Sequence, residues 1–232
     1  PEVTLRLCRE AGSDQYSHVL HLGAGVGTVC QLLIETFGCK ATGVVMLEPL
    51  LQHCVYEDER VEYLHAKMTE PPFEPGTFTH VLIECRCIAH PDLEAVFAAA
   101  KQMLAPNGQL IVNEPVLSSG SSLPKIIGRM VGETRINEVL QQRTAMEIGI
   151  EIATAGFDMI ESRSEPEVTE RLHQKMQQIS MMLKMALRFS SFDPYSEEFP
   201  FKKKDLLKAF DEVKTALGDE TFAWHSWRAT PN

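Results

Sequence analysis

A glycine-rich turn near the start of the chain is the sequence feature that most constrains its fold. Val19, Leu20 and Leu22 form a short apolar run that leads directly into Gly23-Ala24-Gly25-Val26-Gly27. This pattern is typical of a buried parallel strand that breaks into a tight turn before a helix. Glycine at 23 and 25 lets a ligand approach the backbone closely, and free amides at a helix start favour polar or anionic groups. The turn therefore predicts a ligand-binding α/β fold.

Two common nucleotide-binding motifs do not fit this turn. The dinucleotide fingerprint requires a glycine at 28, where this chain has Thr28, and the chain has no Gly-Lys-Ser/Thr phosphate loop. What remains is Gly-x-Gly-x-Gly. Because glycine-rich turns are common in α/β folds, the rest of the chain has to decide the interpretation.

Length and charge favour chemistry on a small molecule. The 232 residues allow one sizeable α/β domain, and 22 basic against 32 acidic residues give a net charge of -10. An acidic balance argues against nucleic acid or an anionic membrane as the main partner.

The cysteines and the hydropathy of the chain bear on its location. The six cysteines show no regular spacing and no apolar run could cross a bilayer, so we expect reduced thiols in a cytoplasmic protein. A homodimer is left open.

Hydrophobic periodicity predicts strands that alternate with helices. The predicted strands cover 18–22, 40–47, 61–65, 78–84, 108–113, 157–161 and 221–229, and the predicted helices cover 3–11, 29–37, 50–56, 92–104 and 136–155. Such alternation predicts a doubly wound, mostly parallel, seven-stranded Rossmann-like sheet.

A segment between the last two predicted strands has a different pattern. Apolar residues recur at helical spacing over 168–187 and again over 201–213. We expect a helical lid insertion at 164–218, which divides a core of residues 1–163 from the final strand at 219–232. This segment contains four methionines: Met176, Met181, Met182 and Met185. Ordinary core packing is the alternative for each of them alone. As a group they favour an adaptable apolar pocket, because methionine repacks easily.

An acid after the second predicted strand is a candidate ligand-binding group. In an open parallel sheet, ligands bind outside the carboxyl ends of the strands, and an acid about 20 residues past the turn accepts ribose hydroxyls. Glu48 lies 21 positions after Gly27. The alternative is a helix-start acid that only complements the helix dipole.

Four stretches together resemble the class I S-adenosylmethionine-dependent methyltransferases. They are Val19–Gly27, Thr42-Gly43-Val44, Pro72-Phe73 with Gly76-Thr77-Phe78, and Leu104-Ala105-Pro106-Asn107-Gly108-Gln109-Leu110. The resemblance implies an S-adenosylmethionine cofactor and methyl transfer to a small molecule, and the four methionines favour an apolar or aromatic metabolite or natural product as that molecule.

The resemblance also implies a set of cofactor contacts. The methionine part would meet Leu22, Gly23, Ala24, Gly25 and Gly27, the ribose Glu48 beside Pro49, the adenine Lys67 and Met68, and the sulfonium Glu84 and Cys85.

The chain departs from the family at four positions where an acid is common. These positions hold His21, Val45, Lys67 and Thr79. Two alternatives to methyl transfer therefore stay open. One is a cyclisation or rearrangement in the same pocket, and the other is a non-catalytic partner subunit.

Two residues after the central strands are candidate general bases. His90 follows the fourth predicted strand and Glu114 ends the fifth, where a base could take a proton from the methyl acceptor. The alternatives are a loop or capping histidine and a strand-end acid held by an amide. We expect no metal at Cys85-x-Cys87-x-x-His90, because a structural zinc needs four ligands and the sequence offers no clear fourth.

Overall fold

A computed structural model describes residues 2–54, 56–87, 90–121, 143–189 and 202–232. The strands are β1 (His18–Leu22), β2 (Lys40–Val45), β3 (Val61–His65), β4 (Phe78–Glu84), β5 (Leu104–Leu117), β6 (Phe157–Ser164) and β7 (Phe222–Pro231). The described helices are α1 (Glu2–Glu10), α2 (Thr28–Phe37), α3 (Leu93–Met103), α4 (Ala145–Thr154), α5 (Pro166–Phe189) and α6 (Lys203–Gly218).

The seven strands form one sheet in the order β3-β2-β1-β4-β5-β7-β6. Strands β1 to β5 pair in parallel, and β7 runs antiparallel between β5 and β6. This architecture confirms the predicted doubly wound, mostly parallel sheet. The strand order reverses between β1 and β4, so the crevice at the carboxyl ends of these two strands is the expected ligand site.

The central strands are buried on both faces, and successive residues along each of them pack on opposite sides of the sheet. On one face, Leu20 and Val81 pack in a cluster with Phe97 of α3 and Trp227 of β7. On the other face, Leu82 packs in a cluster beneath α1 and α2. The central strands therefore hold their carboxyl ends in fixed relative positions.

The end of β2 differs from the sequence prediction. The strand was predicted to reach Leu47, but its last paired residue is Val45, opposite His65 at the end of β3. A short 3-10 helix, Glu48–His53, replaces the predicted helix at 50–56. Pairing stops because β3 ends, and Pro49, which has no backbone N–H, begins a new turn.

The start of α4 also differs. A helix continuous from Ile136 was predicted, but residues 143–144 are not helical and α4 begins at Ala145. The helix begins after Thr144 because Thr144 caps its first turn. The Thr144 side chain accepts a hydrogen bond from the Glu147 N–H, and the Glu147 side chain accepts one from the Thr144 N–H. The predicted part at 136–142 lies outside the described residues.

Strand β5 is longer than its predicted range. It continues to Leu117 because β7 pairs with it antiparallel from Leu110 onwards. Strand β6 likewise runs to Ser164 against β7.

Helices α5 and α6 lie between β6 and β7 in the chain, as predicted for the insertion. Asp211 of α6 joins them: it accepts a hydrogen bond from Ser180 at 3.0 Å and pairs with Lys184 of α5 at 2.7 Å. The division at 164 and 218 stays a prediction. None of the helices within the described ranges is long and apolar enough to span a membrane.

Candidate functional site

The glycine turn joins β1 to α2 at the carboxyl edge of the sheet. Gly23, Gly25 and Gly27 all have positive φ, at 82°, 58° and 82°. The N–H groups of Gly23 and Ala24 donate to the Val44 carbonyl at 3.0 and 2.8 Å, which ties the turn to β2. The backbone conformation predicted from the glycines is therefore present.

Arg86 covers the first half of this turn. Its Nε donates to the Gly23 carbonyl at 3.1 Å. A Cβ placed on Gly23 would lie 2.6 Å from Arg86 Cγ, and one on Gly25 would lie 3.6 Å from Arg86 Nη2. The half-buried Arg86 side chain thus occupies the space beside Gly23, whereas a Cβ on Gly25 would only be in ordinary contact with it.

Tyr63 of β3 covers the second half. Its hydroxyl donates to the Gly27 carbonyl at 3.1 Å, and a Cβ on Gly27 would lie 2.5 Å from that hydroxyl. Gly27 is therefore required for packing within the protein. Sequence reasoning missed both Arg86 and Tyr63, because neither the spacing of the glycines nor the pattern of β3 indicates which distant side chain packs on the turn.

A cleft of about 330 Å³ brings three predicted site residues together. Lys67, Met68 and His90 line it, with Met46, His65, Ala66 and Thr69. Lys67 forms an exposed ion pair with Glu70 at 3.2 Å, and Met68 is buried in the core cluster that contains Phe97. We call this the ribose-side cleft, because it follows the ends of β2 and β3.

A second cavity, of about 510 Å³, lies at the ends of β4 and β5. We call it the edge cavity, and it is lined by Glu2, Val3, Thr28, Val29, Leu32, Glu84, Cys85, Asn113, Val168, Arg171, Leu172, Lys175 and Trp224. It contains the predicted residues Glu84 and Cys85. The first turns of α5 form one of its walls, so the insertion reaches the carboxyl edge of the sheet.

A hydrogen-bond network fixes the polar floor of the edge cavity. Thr4 Oγ1 and Asn113 Nδ2 both donate to Glu84 Oε1, at 2.5 and 2.8 Å. Trp224 Nε1 donates to Asn113 Oδ1 at 2.6 Å, which settles the orientation of the amide. Residues from α1, β4, β5 and β7 therefore hold one carboxylate in place.

Cys85 follows this carboxylate in a left-handed backbone conformation, with φ at 55°. Crowding of the thiol by protein atoms, and then the carboxylates of Glu114 and Glu84, raise the pKa of Cys85 above its ordinary range. The side chain is accordingly a neutral thiol at physiological pH and a poor nucleophile.

Glu114 is completely buried and lines neither of the two cavities. Its Oε1 accepts the Arg86 N–H at 2.6 Å, whereas its Oε2 has no hydrogen-bond partner within the described part of the chain. Burial raises the pKa of Glu114 to about 7, and the nearby Arg86 and Cys87 amides oppose that rise. The carboxyl thus supports the loop that carries Arg86, and the role of Glu114 as a general base stays a prediction.

His90 is held by its loop as well as lining the ribose-side cleft. Its Nδ1 accepts the Asp92 N–H at 3.2 Å, and its carbonyl accepts from Arg143 at 2.7 Å. In the neutral ring this bond leaves the proton on Nε2. To act as a base, His90 would have to take a proton at Nδ1 and lose the Asp92 bond, and its catalytic role stays a prediction.

Three of the positions that depart from the family pattern, His21, Thr79 and Val45, lie on the central strands β1, β4 and β2. His21 is buried, with Nε2 unpaired among the described residues, and burial followed by the Arg86 charge lowers its pKa to about 3. Thr79 accepts the His18 N–H at 2.9 Å and so joins β4 to β1. Val45 is buried, and Glu48, three residues later, is exposed at the start of the 3-10 helix. A ribose-binding role for Glu48 stays a prediction.

No group of three or more histidine, cysteine, aspartate or glutamate side chains suited to a metal ion occurs among the described residues. Cys87 is buried, while Cys85 is exposed.

Comparison with known proteins identifies the domain that contains this site. The model of a family described as "Methyltransferase domain" matches residues 19–108, from the first paired residues of β1 to the start of β5. Residues 19–108 are a class I methyltransferase domain. This confirms the resemblance noted in the sequence, and the methyltransferase domain contains the glycine turn, Glu84 and Arg86.

Two curated relatives match more than half of the chain. The chain is 26% identical over 157 residues to sarcosine/dimethylglycine N-methyltransferase of Halorhodospira halochloris, covering 64% of this chain and 56% of that protein. It is 25% identical over 154 residues to carboxy-S-adenosyl-L-methionine synthase of Pseudomonas entomophila, covering 58% of this chain and 62% of that protein. The chain thus spans less than two thirds of the length of these relatives.

A solved structure shares the fold over nearly the whole chain. Haemonchus contortus phosphoethanolamine N-methyltransferase 2 in complex with S-adenosyl-L-methionine superposes with a TM-score of 0.76 at 18% identity. The match covers 99% of this chain and 52% of that chain. The methyltransferase fold therefore includes the insertion and the last two strands.

Proposed function

We propose that this protein binds S-adenosylmethionine along Gly23–Gly27 and methylates a small molecule held in the edge cavity. The observation that carries the proposal is the glycine turn, which lies at the carboxyl edge of the sheet between the ends of β2 and β4. The domain family and the names of the relatives support the same reaction.

The fit of the cofactor depends on Arg86. The positive φ values of Gly23 and Gly25 leave backbone that a ligand can approach, but Arg86 lies in the space beside Gly23. Within the described ranges, one hydrogen bond from its side chain, to the Gly23 carbonyl, holds it there. The turn fits the cofactor with Arg86 rotated away. The residues proposed to hold it are then Leu22, Gly23, Ala24, Gly25, Gly27, Glu48, Pro49, Lys67, Met68, Glu84 and Cys85.

Methyl transfer requires chiefly that the protein aligns the acceptor with the methyl group of the cofactor. When bound, S-adenosylmethionine supplies a methyl group on a positively charged sulfur, and transfer is an in-line displacement by the acceptor. In the proposed mechanism Glu84 lies where the cofactor and the acceptor meet, so that it borders the sulfonium and also holds the acceptor at the floor of the edge cavity. Glu114 supports the loop that carries Cys85 and Arg86, and His90 is the candidate base where the acceptor has to lose a proton.

We further propose that residues 164–218 act as a lid on the core formed by 1–163 and 219–232. Val168, Arg171, Leu172 and Lys175 of α5 already form a wall of the edge cavity. Apolar side chains on both sides of this cavity support the expectation of an acceptor with an apolar or aromatic body. A cytoplasmic location and a homodimer remain predictions from the sequence.

A second candidate function is a partner protein that does not bind the cofactor. Arg86 is the observation that favours it, because a guanidinium on the glycine turn both fills the space and would repel a sulfonium. The two candidates differ in whether Arg86 is displaced.

A calorimetric titration with S-adenosylmethionine tests the proposal. We expect saturable binding by the parent, and no binding by Gly25→Val, because the added side chain fills the ligand's space. Gly12→Val is the matched control: Gly12 also has positive φ, at 82°, but lies outside the site, and a Cβ added there would have no atom within 4 Å. Arg86→Ala should bind more tightly than the parent, since the competing side chain is removed.

Each result separates the candidates. Absence of binding in both the folded parent and Arg86→Ala contradicts the cofactor proposal and supports the partner protein. Binding without methyl transfer to any small acceptor in a product assay supports a cyclisation or rearrangement instead.

A further inference from the structure

The floor of the edge cavity carries a fixed negative group. Two donors converge on Glu84 Oε1, whereas Glu84 Oε2 has no hydrogen bond to another described residue. The Trp224 ring lines the same cavity and is held by its bond to Asn113. A carboxylate beside an indole ring attracts an ammonium group, through charge-assisted hydrogen bonding and through cation–π attraction.

The α5 wall of the cavity carries a positive group. Positions 168, 171, 172 and 175 share one face of α5, because residues three, four and seven apart lie above one another on a helix. Arg171 on this face is paired with Glu2 of α1. Lys175 also lines the cavity and forms no ion pair or hydrogen bond with any residue that the structure describes. Its ammonium is available to an anionic group of a ligand.

Apolar side chains line the cavity together with these two charges. Val29 and Leu32 of α2 line one side of the cavity, and Val168 and Leu172 of α5 line another. A volume of about 510 Å³ is in the usual range for a small-molecule site. The lining of the cavity thus combines the Glu84 carboxylate, the Lys175 ammonium and apolar side chains from α2 and α5.

We infer that the edge cavity binds a small amino compound that carries both an ammonium and an anionic group, with a short apolar body between them. A ligand with only a positive charge leaves Lys175 unpaired, and one with only a negative charge faces the Glu84 carboxylate. Glu2 and Arg171 already neutralise each other, so the unmatched charges of the cavity are one of each sign. The identification of this ligand as the methyl acceptor rests on the proposed function.

Three probes of similar shape test the charge requirement. N,N-dimethylglycine carries both charges, N,N-dimethylethanolamine carries only the positive one, and isovalerate only the negative one. Calorimetric titration of the full chain, with and without S-adenosylhomocysteine, should show dimethylglycine binding at least about tenfold more tightly than either of the others. Equal binding of the three probes, or no binding of dimethylglycine at millimolar concentration, overturns the inference.

Two variants assign each charge to its side chain. Lys175→Ala should remove the preference for dimethylglycine over dimethylethanolamine, and Glu84→Gln should remove the preference over isovalerate. Lys208→Ala and Glu170→Gln are matched controls on exposed positions of the insertion and should keep both preferences. Circular dichroism establishes that each variant is folded. Preferences that survive both cavity variants contradict the assignment.

The outcome is distinct from that of the proposed function. Dimethylglycine can be titrated without cofactor, so its binding stands even if S-adenosylmethionine does not bind. Conversely, the protein could bind S-adenosylmethionine and methylate an uncharged or singly charged acceptor in preference to one that carries both charges. That result would support the proposed function and contradict this inference.

Discussion

Glu114 illustrates how burial sets the chemistry of a single side chain at the carboxyl edge. The carboxyl is fully buried, and one of its oxygens accepts the Arg86 N–H. Because burial disfavours the charged form, its pKa rises to about 7. A protonated Glu114 is therefore the form that the folded protein prefers over much of the mildly acidic range.

The raised pKa predicts a pH-dependent stability at this residue. The folded state binds a proton that the unfolded state has lost between about pH 4.5 and 7, so this group's contribution to stability falls as pH rises through that window. Glu114→Gln cannot titrate. The free energy of unfolding of Glu114→Gln relative to the parent should therefore rise by roughly 1–3 kcal/mol from pH 5 to pH 8.

Urea denaturation at several pH values measures this difference. Glu48→Gln, at an exposed position, is the control and should show no such trend. If the difference in the free energy of unfolding between Glu114→Gln and the parent does not change with pH, Glu114 is charged or solvated in the folded protein.

At the scale of elements, the paired helices α5 and α6 are the part of the fold most suited to respond to a ligand. Lys184 and Lys214 hold the pKa of Asp211 down to about 2, so the contact that joins the two helices keeps its charge at ordinary pH. The first turns of α5 meet the core at the edge cavity. A ligand in this cavity therefore contacts the insertion directly.

Hydrogen exchange tests the response of the insertion. With S-adenosylhomocysteine and dimethylglycine present, we expect slower exchange over residues 166–177 of α5, because ligand contacts suppress local opening. Helix α3, which packs in the core away from the insertion, serves as the internal control. Equal protection of 166–177 with and without ligands, at concentrations that saturate binding by calorimetry, would refute the lid role.

At the scale of the whole molecule, one hydrophobic core joins the methyltransferase domain to the last strand. Trp227 of β7 belongs to the same buried cluster as Leu20 of β1 and Phe97 of α3. The strand that completes the sheet after the insertion thus packs with the first strand of the chain. Cooperative unfolding of the sheet follows from this shared core.

Phe97→Ala should test that continuity. Removing a fully buried phenylalanine leaves a cavity, and the free energy of unfolding should fall by roughly 3–5 kcal/mol in a single transition. Urea unfolding followed by both tryptophan fluorescence and circular dichroism measures it. Tyr16→Ala is the control at an 81% exposed aromatic residue, where a change within about 0.5 kcal/mol is expected. Two separate transitions would mean that β7 unfolds apart from the rest.

The sequence by itself determined the elements whose signals are local. The bounds predicted for the third and fourth strands agree with β3 and β4, and the glycine turn, α2 and the helical insertion were also predicted. Apolar periodicity identifies these elements because it records which residues of one segment are buried, and a glycine stop such as Gly38 marks where a helix ends.

Only the tertiary structure decided which distant residues meet. Strand β2 stops at Val45 because its neighbour β3 ends, which no pattern within β2 indicates. The network from Thr4 through Glu84 and Asn113 to Trp224 joins four elements spread over almost the entire chain. Arg86 reaches the glycine turn from the loop after β4 in the same way. Periodicity specifies that a face is buried but not which side chain covers it, because that depends on the order of strands in the sheet.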